Sequence, residues 1–251
     1  MALQSLSLQL YSVRQALDDD LPGTLARVAE IGYRQVEASH KLYARGPALA
    51  RAVRDHGLGV PTFTSPLVAL PGREVPDPEE VFAAARELGA TAVIDTYIPE
   101  EHWTSGAGVE VIAAGLNAAA DHGLRVGYHN HWWELERRFD GRTALELLAD
   151  RLRPEVVLEI DVYWVAVGGE DVLALLDRLG DRVRFLHLKD GPISRDNTQQ
   201  LPAGRGKLPF DEIIAATPHV EAGAVEFDEY AGDIFEGIAA SFDYLQARTA
   251  A

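Results

Sequence analysis

Val126-Gly127-Tyr128-His129-Asn130-His131-Trp132-Trp133-Glu134 opens as a short apolar run and closes on two histidines, an amide, two tryptophans and a carboxylate. The apolar half reads as a buried strand. The polar half gathers more hydrogen-bonding and metal-ligating groups than packing alone requires. Three later strand-like runs end in side chains of the same kind: Leu158-Glu159-Ile160-Asp161, Phe185-Leu186-His187 and Ala224-Val225-Glu226. Four such strand ends are expected to converge on one metal.

Working outward, strands are expected at 5–10, 35–37, 59–64, 91–95, 125–129, 156–161, 183–188 and 220–226. Between them run amphipathic helical patterns. Asp77-Pro78 supplies an N-cap and a first-turn proline, and Gly32, Gly57, Gly89 and Gly123 stand where helices should stop. Tyr11-Ser12-Val13-Arg14 reads as a loop. Eight strand-helix units in 251 residues predict an α/β fold, a single (β/α)8 TIM barrel spanning residues 1–251. A doubly wound sheet is disfavoured because the turn after the first strand lacks a phosphate-cradling glycine loop. Gly204-Arg205-Gly206 is glycine-rich but comes long after its strand.

The formal net charge is −16, so a general nucleic-acid binder is disfavoured. With no cysteine, any metal must be held by His, Asp, Glu or water. That composition fits a cytoplasmic protein. The start, Met1-Ala2-Leu3-Gln4-Ser5, shows no signal-peptide pattern, and no run approaches the roughly 20 apolar residues of a membrane span. A homodimer is left open.

In a barrel, working groups stand at the C-terminal ends of strands. Glu37, Glu134, Asp161, His187 and Glu226 all fall there or just beyond. Carboxylates with imidazole suit one divalent ion: manganese, magnesium, cobalt or zinc. Each residue alone has a plain reading: a strand-end carboxylate caps helices, and a lone histidine is more often a packing residue. Their coincidence on four successive strands is what points to a metal. Glu159 fits the alternation of its strand and reads as structural. His40, His56, His122 and His219 read as polar helix ends or loops, and Asp18-Asp19-Asp20 as a solvated loop with capping potential.

Leu8-Gln9-Leu10-Tyr11-Ser12-Val13-Arg14, Ile31-Gly32-Tyr33 with Val36-Glu37, Tyr128-His129-Asn130-His131 with Glu134, Asp161-Val162-Tyr163-Trp164 and His187-Leu188-Lys189-Asp190 resemble the xylose isomerase-like TIM-barrel superfamily, more narrowly its sugar phosphate isomerase/epimerase group. The resemblance covers nearly the whole chain. It implies a divalent metal held by Glu134, Asp161, His187 and Glu226, with His129 or His131 the alternative to Glu134. It implies Glu134 and Glu226 as acid and base, and His129, His131, Lys189, Glu37 and Trp164 as substrate contacts. The expected activity is isomerisation or epimerisation of a sugar, keto-sugar or sugar phosphate through a metal-stabilised enediolate. The alternative is a dehydratase or lyase acting on a keto-polyol or keto-glycoside. The superfamily also holds apurinic endonucleases. Trp164, standing where a second-metal histidine would be wanted, and the net charge of −16 argue against that activity.

Overall fold

Eight parallel strands close into a barrel in the computed structural model, which describes residues 3–249. Residues 1, 2, 250 and 251 lie outside the described chain. They include the Met1-Ala2 start used in the signal-peptide reading. The strands are β1 Leu6–Gln9, β2 Gln35–Ser39, β3 Thr62–Thr64, β4 Ala92–Asp95, β5 Arg125–His129, β6 Val157–Asp161, β7 Val183–Leu188 and β8 Ala222–Val225. β1 pairs with both β2 and β8, which completes the ring. A two-stranded hairpin, Arg138–Phe139 against Arg142–Thr143, lies outside it.

The helices begin where the sequence offers an oxygen to bare amides. Asp20, Asp77, Ser105, Thr143, Asp171 and Asp233 each accept from a backbone N–H of the following first turn. Thr143 and Glu146 complete a reciprocal capping box. One expectation changes at the start of the chain. The segment after β1 is helical, with a 3-10 turn at Leu10–Val13 and a helix at Arg14–Asp19. The Gln9 side chain accepts from Tyr11 N and starts that turn, a cue that propensity does not carry.

Strand side chains alternate between the barrel interior and the surrounding helices. Ala92, Ile94, Val157, Phe185 and Ala222 form a separate apolar cluster inside the barrel. Gly127 faces it, and a Cβ there would stand 2.6 Å from Ile94 Cδ1. The interior therefore has no room for a side chain at Gly127, two residues before His129. No helix among the described residues is long and apolar enough to cross a membrane.

The long connection after β7 is organised by one carboxylate. Buried Asp190 accepts from the backbone N–H of Gly191 at 2.8 Å, Gly204 at 3.0 Å, Gly206 at 2.8 Å and Leu208 at 3.2 Å. A Cβ on Gly206 would stand 2.1 Å from Asp190 Oδ1. The glycine-rich stretch thus cradles the protein's own aspartate, as glycine loops elsewhere cradle phosphate.

Candidate active site

Register places the site. His129 of β5 lies beside Glu159 of β6, and Asp161 of β6 beside His187 of β7. Glu226 follows β8 directly. Donor atoms of His129, Asp161, His187 and Glu226 all lie within 4.8 Å of one another, and all four residues are buried. His187 Nδ1 is 2.6 Å from Glu226 Oε2, and His129 Nε2 is 3.8 Å from Asp161 Oδ2. The two rings stand 4.3 Å apart, centroid to centroid.

Asp161 serves two purposes. Its Oδ1 accepts from Tyr163 N at 3.0 Å and Trp164 N at 2.9 Å, capping the helix Val162–Val167. Its Oδ2 is fully buried and accepts no hydrogen bond among the described residues. Lys189 Nζ lies 3.0 Å from that oxygen, 2.8 Å from Glu226 Oε2 and 2.8 Å from Asp228 Oδ2. Only the last of these contacts has hydrogen-bond geometry.

These groups shift one another's ionisation. Burial pushes the Asp161 carboxyl up to about 6, against the pull of Lys189 and His187. Burial alone would raise Glu226, but Lys189 and His187 hold it well below the usual carboxylate range. Burial would lower His187, but Glu159, Glu37 and Glu226 raise it well above its ordinary value. Burial, followed by the charge of His187, holds His129 well below. Two imidazoles and two carboxylates without sulfur form a donor set for a borderline divalent ion, whose charge the two carboxylates balance. Asp161 Oδ2, buried and without a hydrogen bond among the described residues, fits the same use.

The structure does not bring Glu134 to this cluster. Its Oε1 accepts from the Tyr128 hydroxyl and its Oε2 from His131 N at 3.0 Å. Tyr128 turns outward from β5, its ring packing on Trp103. The short helix Trp133–Glu136 carries Glu134 outward with it. His129, one of the two expected alternatives, stands among the donors instead. Burial pushes the Glu134 carboxyl up to about 8.

Glu37 is also displaced from its expected role. It is wholly buried beneath the cluster, accepts from Gln9 Nε2 and Thr62 Oγ1, and lies 3.0 Å from His187 Nε2. It does not line the cavity above. Glu159, read as structural, contacts both rings. Its spacing of two residues from Asp161 puts it on the same strand face, and that was the available signal.

A cavity of about 700 Å³ opens above the cluster, lined by His129, His131, Trp164, His187, Lys189, Glu226 and Asp228 among others. Trp132, Trp133 and Tyr97 add to an aromatic wall. His131 stacks on Trp133 at 4.4 Å with planes 7° apart, and its Nδ1 is buried without a partner among the described residues. Burial and the Lys189 ammonium bring His131 down to about 3, so its ring is neutral. The expected contacts His129, His131, Lys189 and Trp164 therefore do face one cavity.

The xylose isomerase-like TIM barrel family model matches residues 25–222. The chain belongs to that family. One relative is the inosose dehydratase of Mesomycoplasma hyopneumoniae strain 7448, 24% identical over 198 residues that cover 71% of this chain. The chain matches 64% of that relative's length, under two thirds. Within the family's fold, a sugar phosphate isomerase/epimerase from Parabacteroides distasonis superposes with a TM-score of 0.81 at 23% identity, covering 98% of this chain and 95% of that one. The IolI protein with a bound zinc atom superposes at 0.69 with 16% identity, covering 99% and 100%. At these identities the structural likeness is one of fold.

Proposed function

We propose that this protein is a divalent-metal-dependent dehydratase of a polyhydroxylated ketone, a keto-sugar or keto-polyol. The convergence of His129, Asp161, His187 and Glu226 beside the Lys189 ammonium, at the floor of an aromatic-walled cavity, carries this reading. The curated relative's name, inosose dehydratase, supports it. The bound ion would supply Lewis acidity toward the ketone oxygen.

The chain's own groups supply the rest. The protein contacts of Glu226 fall on Oε2, which leaves Oε1 to take the proton from the carbon next to the carbonyl. Lys189 Nζ stands where it can hold the oxygen that gains negative charge as that proton leaves. As the carbonyl re-forms, its electron pair expels the hydroxyl on the next carbon, which takes the proton back from Glu226 Oε1 and leaves as water, giving an unsaturated ketone. Trp132, Trp133 and Trp164 wall the cavity and exclude bulk water from the reacting carbons.

Two-carboxylate proton exchange was the expectation, and the position of Glu134 weakens it. A second reading, isomerisation or epimerisation, needs another proton carrier facing the cavity. Asp228, which lines it, is the available group. The test loads the protein with Mn2+ and offers a panel of keto-polyols and keto-sugars in D2O. A new near-ultraviolet chromophore in a product that has lost the α-hydrogen and one water is the expected result. Exchange that yields only a rearranged sugar transfers the assignment to the second reading, and neither chromophore nor exchange across the panel defeats both.

A further inference from the structure

Glu159 takes no part in the chemistry just described, yet its carboxylate lies 1% exposed directly beneath the two imidazole donors. Its Oε2 is 3.2 Å from His129 Nδ1 and 3.1 Å from His187 Nε2. We propose that Glu159 is a positioning residue that fixes the tautomer of His129, so that this ring presents Nε2 as a bare donor nitrogen. This inference rests on the divalent-metal reading of the site.

A neutral imidazole carries one N–H, and the nitrogen that donates it cannot also ligate a metal. With Nδ1–H of His129 turned to Glu159, Nε2 faces Asp161 Oδ2 at 3.8 Å. His187 is held separately, its Nε2 hydrogen-bonded with Glu37 Oε1 at 3.0 Å and its Nδ1 with Glu226 Oε2 at 2.6 Å. Among the described residues Glu159 is the group that touches both rings. Packing gives no reason for it. Val157, two residues earlier on the same face, belongs to an apolar cluster, and a lone carboxylate buried next to such a layer is costly unless it is partnered. Partners of this kind orient ligand histidines, and their loss weakens metal binding about 10–100-fold.

The test uses full-length protein with 15N-labelled histidines and Zn2+ alone as the probe. Metal-free wild type should show His129 protonated on Nδ1 and bare on Nε2. Glu159→Met, which removes the acceptor oxygen at similar volume, should bind Zn2+ about 10–100-fold more weakly and lose that tautomer. Glu159→Gln keeps an oxygen that can accept the same N–H bond from His129, and should recover most of the affinity and the wild-type tautomer. A wild-type His129 protonated on Nε2 overturns the proposal, even should Glu159→Met fail to fold. So does a Glu159→Met protein that binds Zn2+ as tightly as wild type, or a Glu159→Gln protein as weak as Glu159→Met. Wild type that binds no Zn2+ defeats the site reading itself, whereas tight wild-type binding with undiminished Glu159→Met defeats only the role of Glu159.

Discussion

Replacing Glu134 with glutamine separates the two roles this residue could have. Glu134 is fully buried, with the Tyr128 hydroxyl and His131 N as its donors, and burial pushes its carboxyl up to about 8 from an ordinary 4.5. The folded chain therefore keeps a proton on Glu134 that the unfolded chain releases near pH 4.5. Stability contributed by this group is fully present below about pH 4.5 and is lost as pH rises toward 8, because the folded state binds more protons across that window. At about 1.36 kcal/mol per pH unit, the loss approaches 4–5 kcal/mol as an upper bound, since local relaxation admits water to a buried charge. For a chain of this size each kcal/mol moves the melting temperature by about 2–4 °C. Glu134→Gln is neutral at every pH, and the Tyr128 hydroxyl can rotate to accept from its amide. Melting temperatures of both proteins, measured from pH 5 to 9, should diverge: wild type falls more steeply, and the variant becomes the more stable protein at the alkaline end. Metal affinity should be retained in the variant. Parallel melting profiles, or a variant that no longer binds metal, would refute the placement of Glu134 away from the donor cluster.

Two further substitutions test the frame that holds the site. Arg73 and Asp95, 8% and 0% exposed, form a bidentate pair that also ties Val68 O and Tyr97 O. Arg73→Met leaves Asp95 with the Leu67 and Val68 amides, so a loss of about 3–5 kcal/mol is expected in urea unfolding, with part of it recovered by adding Asp95→Asn. At the opposite end of the barrel, Glu221 is hydrogen-bonded by Arg125 and paired with Arg184, which together hold its carboxyl down to about 2. That stability is present above about pH 4.5 and lost as pH falls toward 2. Discounted for partial exposure, Glu221→Gln should cost about 1 kcal/mol at pH 7. The gap from wild type should close as unfolding is followed down from pH 5.

The barrel was legible because its period is written in strand and helix alternation that local physics enforces. Asp161, His187 and Glu226 were legible because each closes a strand, and strand ends have one destination in a barrel. Glu134 was not, since it lies five residues beyond β5, and the path of that loop is set by a tertiary bond to Tyr128. Alternation alone gives Glu159 a packing reading, and strand period two puts it on the face of Asp161, where its carboxylate meets the two rings. Glu37 shows the limit of the strand-end rule. It faces inward as expected but stops one layer below the cavity, a depth fixed by strand stagger and invisible in a single strand's sequence.

A crystal of the protein grown with Mn2+, with diffraction recorded at the manganese absorption edge, tests the central claim directly. One anomalous peak should appear, bonded to His129 Nε2, Asp161 Oδ2, His187 Nδ1 and Glu226 Oε2, with Glu134 still on Tyr128. A peak ligated by Glu134, or none within this cluster, would contradict it.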